Sequence, residues 1–384
     1  MRGAYNPPFP FPLLQVFPMR FLIAVLVSLF SLSALAQTVP PPALAAKAWA
    51  LVDHATGQTL AEKDADARIE PASLTKLMTA YITFSKLKEG SLKPDQVVPV
   101  STKAWRMEGS RMFIEPNKPV SVDELIRGVI VQSGNDACVA LAETIAGSEE
   151  AFAALMNREA QRLGMNNTHF TNSTGLPDPQ LYTSARDLAV LASAIVRDFP
   201  EYYNLYSLKE FTYNGIKQPN RNRLLYMDPS VDGMKTGHTS SAGYCLVSTA
   251  RRGERRLVSV VLGAASDSVR AQESLKLLNF GYQFYETVKL YSADEALSKF
   301  RVWKGKLNEL PVGFTKDFAL TVPKEAANKI QVSLESRQPL VAPLQRGQEV
   351  GTLTVAVDGK PLGQYPVVAL QDVEVAGFFG RLWD

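Results

Sequence analysis

The sequence predicts an α/β (α+β) protein with a second, small all-β domain, and three observations carry that prediction. Hydrophobic residues make up 46% of the 384 positions and charged residues 21%, the proportions of a chain that buries a core and stays soluble. Strand-like runs and helical periodicities are mixed from Lys47 to about residue 287. Beyond about residue 290 the helical period stops, and short alternating apolar runs separated by turns remain. The expected organisation is a leader over 1–36, a mixed region over 37–288, a β domain over 289–372 and a terminal tail over 373–384.

The leader is read from residues 21–36, an apolar run that follows Arg20 and closes on Ala34-Leu35-Ala36. A basic residue, a short apolar stretch and a small-residue cleavage site make a secretory signal. The run is shorter than the roughly 20 apolar residues a membrane span needs, so an uncleaved anchor is the lesser alternative. Asn6-Pro7-Pro8-Phe9-Pro10-Phe11-Pro12 does not look like the start of such a signal, which makes Met19, rather than Met1, the expected first residue. Removing 1–36 takes away Arg2 and Arg20 and no acid, lowering the net charge from +3 to +1. That balance gives no electrostatic case for binding nucleic acid. Export implies an oxidising compartment, where Cys138 and Cys245 either pair or remain buried thiols, the commoner fate.

Pro40-Pro41-Pro42 is a stiff spacer. Lys47 to Val52 reads as a strand, Asp53-His54-Ala55-Thr56-Gly57 as a turn and Gln58 to Glu62 as the returning strand. Pro71 opens a helix expected to reach about Lys88, since proline is tolerated in a first helical turn. Helical patterns follow near 121–131, 135–146, 149–163 and 184–197, with a turn-rich loop near 170–182. Strands are expected at 243–250 and 256–263, joined by Arg251-Arg252-Gly253-Glu254. An amphipathic helix is expected over 268–287, with Leu275, Leu278, Tyr282 and Tyr285 on one face. The β domain is read from runs such as 319–322, 330–334 and 351–357. The tail carries Val373, Val375, Phe378, Phe379, Leu382 and Trp383, which fit either a membrane interface or a strap on the β domain.

Only three histidines (His54, His169, His238) are present, and neither Cys-x-x-Cys nor His-x-x-x-His spacing occurs. A zinc site is therefore not expected, no cofactor is implied, and a histidine base is disfavoured. Ser73-Leu74-Thr75-Lys76 lies just inside the helix opened by Pro71, where serine and lysine three apart share a face. A lysine made neutral by burial and by a second cation could deprotonate that serine. A second match, Ser85-Lys86-Leu87-Lys88, sits late in the helix and reads as a solvated face. Ser133-Gly134-Asn135 offers a hydroxyl and an amide between two helices, suited to a proton relay and a substrate hydrogen bond. Lys235-Thr236-Gly237 offers a carboxylate-binding cation and hydroxyl, then a residue without Cβ where substrate backbone must approach. Each motif is weak alone; together, in this order, they closely resemble the Ser-x-x-Lys, Ser-Asp-Asn and Lys-Thr-Gly signature of penicillin-binding proteins and class A β-lactamases.

The chain resembles the low-molecular-mass penicillin-binding proteins, specifically the serine-type D-alanyl-D-alanine carboxypeptidases. The resemblance takes in Pro71 to Thr79, Gly109-Ser110-Arg111-Met112-Phe113, Gln132 to Cys138, Asn220-Arg221-Asn222, Val231 to Thr239 and Gly377 to Asp384, so it spans nearly all of the exported chain. It implies the penicillin-binding-protein/β-lactamase-like transpeptidase fold. It also implies that Ser73 attacks the penultimate D-Ala carbonyl, Lys76 takes its proton and Ser133 relays a proton to the leaving D-Ala. Asn135 would bond the substrate amide, and Lys235, Thr236 and Gly237 would receive the terminal carboxylate, helped by Arg270 and Arg221. The backbone N–H groups of Ser73 and His238 would form the oxyanion hole. The implied partners are peptidoglycan pentapeptides ending in D-Ala-D-Ala and, as covalent inhibitors, β-lactam antibiotics. The implied location is the periplasm, with peripheral contact to the inner membrane through the tail; the family's tail continues as an amphipathic anchor, whereas this sequence stops at Asp384. A β-lactamase, a D,D-endopeptidase and a non-catalytic peptidoglycan binder are the alternatives. No Glu-x-x-Leu-Asn is found, and Asp178 is the sole acid of the 172–178 loop, which argues against a β-lactamase. Asn166-Asn167-Thr168 and Asn172-Ser173-Thr174 match glycosylation sequons, inert in a bacterial periplasm.

Overall fold

The computed structural model describes residues 39–377. The leader with Met19, and the aromatic end of the tail from Phe378, lie outside the described residues.

A five-stranded antiparallel sheet organises the larger part. Its strands are β1 (Ala48–Asp53), β2 (Thr59–Lys63), β3 (Val231–Thr239), β4 (Gly243–Arg252) and β5 (Arg255–Ala264), in the order β2-β1-β5-β4-β3. Both faces are covered, and the period of two along each strand shows how. Ala50 and Val52 of β1, with Cys245 and Val247 of β4 and Val258, Val260 and Leu262 of β5, enter the larger core under the helices. The intervening Trp49, Leu51, Leu246, Leu257 and Val261 enter a second core on the opposite face. That second core is closed by helix α5 (Asp267–Phe284), capped by Ser266, whose side chain accepts the Val269 N–H. Gly281 lets α5 lie close to the sheet, since a Cβ there would stand 2.6 Å from Leu257 and 2.7 Å from Leu51.

On the other face, α1 (Lys76–Lys88) runs through the centre of the larger core, with all but its C-terminal turn largely buried. Around it pack α2 (Asn135–Ala146), α3 (Glu149–Leu163) and α4 (Ala185–Asp198), the last two capped by Ser148 and Ser184. Three expectations need correction here. The helix expected from Pro71 begins as a 3-10 turn, Ala72–Thr75, and becomes α-helical only at Lys76. The helix expected near 121–131 is Val122–Arg127 followed by a π turn, Gly128–Gln132, which ends on Ser133 in the left-handed conformation. The helix expected to 287 stops at Phe284, because Tyr285 opens a strand whose long-range pairing overrides the local period. Tyr285 is therefore not on the apolar face of α5.

The β module contains a two-stranded sheet and a six-stranded one. The first pairs β6 (Tyr285–Tyr291) with β9 (Phe318–Pro323). The second uses β7 (Ala296–Trp303), β8 (Glu309–Gly313), β10 (Ile330–Ser336), β11 (Leu340–Val341), β12 (Glu349–Val357) and β13 (Lys360–Ala369), ordered β10-β12-β13-β8-β7-β11. Its core includes Val302, Leu310, Val312, Leu353 and Val367. Val373 is buried in this core, and Val373 and Val375 bridge to Leu344 and Gly305, so the start of the tail straps onto the module.

The two parts meet through a polar joint. The buried Asp53 carboxylate closes its own turn through Ala55 N–H at 3.0 Å, pairs with Arg255 at 2.9 Å and accepts the Thr287 hydroxyl at 2.8 Å. Thr321 meets Thr56 at 2.9 Å, and Gln58 brackets the Thr321 backbone through both ends of its amide.

Candidate active site

Ser73 sits in the 3-10 turn wedged between β3 and α1. Residues i and i+3 eclipse in a 3-10 turn, so losing the expected α-helical start keeps Ser73 over Lys76. The Lys76 amine is 3.0 Å from Ser73 Oγ. Gly237 of β3 packs against this turn; a Cβ there would stand 3.0 Å from Pro71 O and 3.2 Å from the Leu74 nitrogen.

Lys76 is 1% exposed and has three polar neighbours: Ser73 Oγ, Asn135 Oδ1 at 2.8 Å and the Thr174 carbonyl at 2.5 Å. Two of these can only accept. A neutral amine has two N–H bonds and one lone pair. The ammonium donates to all three; the neutral form gives its hydrogens to Asn135 and Thr174 and turns the lone pair to the one neighbour that can donate, Ser73. Burial lowers Lys76 from 10.5 to about 8, and the Arg221 charge pushes the same way. Lys235 is 3% exposed and lies well below its ordinary value, through burial first and then the Lys76 and Arg221 charges. Cys138, fully buried on α2, is pushed up to about 12 by burial and stays a thiol. Cys138 and Cys245 are both free.

The Ser133 Oγ is buried and has no hydrogen-bond partner. Its left-handed backbone, φ 64°, comes from its place at the junction of the π turn and α2. Asn135 is engaged at both ends, since its Nδ2 also donates to Glu108 O at 2.6 Å. Its side-chain oxygen thus serves Lys76, and one Nδ2 hydrogen remains for another acceptor. Asp136, not singled out from sequence, is 1% exposed; its carboxylate accepts the N–H groups of Met112 (3.0 Å), Phe113 (2.8 Å), Ile114 (3.2 Å) and Ala137 (2.9 Å). It fixes the 109–114 segment, whose Ser110 carbonyl accepts the Asn135 N–H at 2.7 Å.

Ser73, Ser133, Thr236, Gly237, His238, Arg221 and Arg270 line one cavity of about 640 Å³. Arg270 reaches from α5 to Gly237 O at 3.1 Å and pairs with Asp267. Arg221 comes from the loop before β3 and donates to Ser110 Oγ at 2.6 Å. Ser110, Arg223, Tyr244 and Asp267 also line the cavity without having been singled out as site residues. Ser110 lies in a stretch quoted for the resemblance; the Thr174 carbonyl is backbone and leaves no residue-type signal. The second Ser-x-x-Lys is a solvated helix end, with Ser85 and Lys86 both bound to Glu89. Among the described residues no cluster of His, Cys, Asp and Glu is placed to hold a metal ion.

Comparison with known proteins shows what the whole chain is similar to. A family model described as D-alanyl-D-alanine carboxypeptidase matches residues 35–266, and one described as penicillin-binding protein 5, C-terminal domain, matches 285–375. The chain is 46% identical over 356 residues to D-alanyl-D-alanine carboxypeptidase DacC of Escherichia coli K12, covering 91% of this chain and 89% of that protein. It is 43% identical over 351 residues to DacA of the same organism, covering 89% and 87%. The crystal structure of penicillin binding protein 5 from Haemophilus influenzae superposes with a TM-score of 0.85 at 43% identity, covering 88% of this chain and 99% of that one. Penicillin-Binding Protein D2 of Listeria monocytogenes in its ampicillin-bound form gives 0.59 at 31% identity, covering 63% and 99%.

Proposed function

The chain belongs to the D-alanyl-D-alanine carboxypeptidase family, and we propose that it removes the terminal D-alanine from peptidoglycan pentapeptides through an acyl-enzyme on Ser73. The observation that carries this reading is the placement of the Lys76 amine, 3.0 Å from Ser73 Oγ with two accept-only neighbours, so that its neutral form keeps a lone pair for the Ser73 hydroxyl. Ser73 attacks the carbonyl of the penultimate D-Ala as Lys76 takes its proton. Ser133, whose hydroxyl is otherwise unpartnered, works with Lys235 to relay the proton to the departing D-Ala amine. Lys235, Thr236, Arg270 and Arg221 hold the terminal carboxylate, whose charge favours protonated Lys235 on binding. The N–H groups of Ser73 and His238 receive the developing oxyanion, and Asn135 offers its spare N–H to the substrate. Water then releases the acyl group, with Lys76 again the base.

A β-lactam acylates the same serine. Fast deacylation is not expected, because Asp178, the sole acid of the 172–178 loop, is solvent-exposed, with Oδ1 accepting the Gln180 N–H of its own turn at 2.8 Å. The same reading includes export to the periplasm, supported by Arg20, the apolar run after it and Ala34-Leu35-Ala36, and peripheral contact with the inner membrane through the apolar and aromatic residues of the tail. Fractionation finding the mature chain in the cytoplasm would refute that location. The function is tested by incubating the protein with a fluorescent penicillin and taking the intact mass. A stable adduct on Ser73, its loss in Ser73→Ala and release of free D-Ala from a pentapeptide are expected. Rapid drug turnover without an adduct would favour a β-lactamase, and cleavage of cross-linked dimers without D-Ala release an endopeptidase.

A further inference from the structure

The Thr174 carbonyl that receives a Lys76 hydrogen belongs to a loop whose shape is set by Asn172. The Asn172 Oδ1 accepts three hydrogens: Thr174 N–H at 3.1 Å, Thr174 Oγ1 at 2.9 Å and Gly175 N–H at 2.7 Å. Its Nδ2 donates to Leu176 O at 3.1 Å. One side chain thus holds the N–H end of the Thr174–Gly175 peptide together with the groups that flank it on either side. In a trans peptide the C=O of one residue and the N–H of the next point in opposite directions from one plane. Holding the Gly175 N–H at Asn172 therefore turns the Thr174 C=O the other way, onto Lys76 Nζ at 2.5 Å.

The loop is fixed from outside as well. Thr79 of α1 donates to Ser173 O at 2.7 Å, and Glu149 accepts both the N–H and the hydroxyl of Ser173. Gly175, at φ +82°, lies against the turn that carries Ser73; a Cβ there would fall 1.8 Å from Ala72 O. A peptide flip within this seat would remove the carbonyl from Lys76 and leave the rest of the loop in place.

We propose that Asn172 is a positioning residue for the acylation step: it orients the Thr174–Gly175 peptide so that the Thr174 carbonyl takes one N–H of the neutral Lys76 amine and the lone pair stays on Ser73. Asn172 touches neither Ser73 nor Lys76 in this scheme and acts through the peptide plane. The inference rests on the reading of Lys76 as the base.

The test compares wild type, Asn172→Ala and Asn172→Asp in the rate of acylation by a fluorescent penicillin between pH 6 and 10, with kcat and KM on a D-Ala-D-Ala peptide and thermal unfolding alongside. Misplacing a reacting group by about 1 Å costs on the order of 100-fold, so Asn172→Ala should lower the acylation plateau about 10- to 100-fold, in kcat more than in KM. A carbonyl acceptor favours the ammonium form, so losing it should also move the acid limb of the rate profile to lower pH. Asn172→Asp keeps the three-way acceptor but sets a carboxylate oxygen against the Leu176 carbonyl, so it should recover part of the rate, with a limb moved upward by its charge. A wild-type plateau in Asn172→Ala, a limb moving toward 10.5 as water enters, or an Asp variant no better than Ala would overturn the proposal. If alanine prevents folding, Asn172→Gln takes its place: it keeps the amide but moves its oxygen one methylene away from the Thr174 and Gly175 N–H groups, and a wild-type plateau there would overturn the proposal. A wild-type profile without a limb near 8 would instead sink the reading of Lys76 as base.

Discussion

The lowered pKa of Lys76 makes the sharpest prediction. At pH 7 an amine with a pKa of about 8 is roughly 9% neutral, whereas one at 10.5 is roughly 0.03% neutral, a difference of about 300-fold in available base, or about 3 kcal/mol. The perturbation is pH itself, and the assay is the second-order acylation rate with a fluorescent penicillin, read from gels or intact mass. The rate should climb about tenfold per pH unit below 8 and level off above it. Changing Arg221 to Gln removes a charge that disfavours the ammonium form, so the limb should move to higher pH even as drug binding weakens. The sign for stability follows from the same shift. Folding a buried lysine with a depressed pKa carries its full penalty below about 8 and none above 10.5, because the unfolded chain binds the extra proton between those values. The contribution of Lys76 to stability therefore rises with pH across that window. A limb near 10, or a flat profile from pH 6 to 10, would refute the claim that burial supplies the base.

Two further outcomes follow from contacts away from the reacting atoms. Asp136→Asn is isosteric but turns an NH2 toward at least two of the four N–H groups that the carboxylate accepts, leaving them buried and unpaired; it should cost about 3 kcal/mol in denaturant unfolding and weaken penicillin labelling. Thr321→Val removes a hydroxyl from the joint between the two parts, and should cost about 1 kcal/mol while D-Ala release stays unchanged.

The residues that could be read in advance are those whose chemistry is a side chain at a fixed spacing. Ser73, Lys76, Ser133, Lys235 and Thr236 lie on three separate pieces of backbone, yet each motif carried its own residue types, and the fold had only to bring them together. What stayed illegible depends on backbone direction. No residue type announces that the Thr174 carbonyl faces Lys76, or that Ser133 ends a π turn. The end of α5 was misplaced for a related reason: a helical period does not show that Tyr285–Tyr291 will find Phe318–Pro323 as a partner. Asn135 was legible as a site residue, but its engagement with both Lys76 and Glu108 depends on the 109–114 segment, which a single side chain at Asp136 holds in place.

The joint at Asp53 bears on how such a protein is assembled over evolutionary time. The hydrogen bonds described across it join Asp53, Thr56 and Gln58 on one side to Thr287 and Thr321 on the other. Water can satisfy every one of these groups, so parting the two pieces along this seam bares mainly donors and acceptors beside the Tyr285 ring that packs on Phe280. A graft at Tyr285 would need a first strand with a hydroxyl at the position of Thr287, a neighbouring strand to meet Gln58 and a ring to cover Phe280. The catalytic half is thereby free to keep its chemistry while the appended module is exchanged for another length or shape.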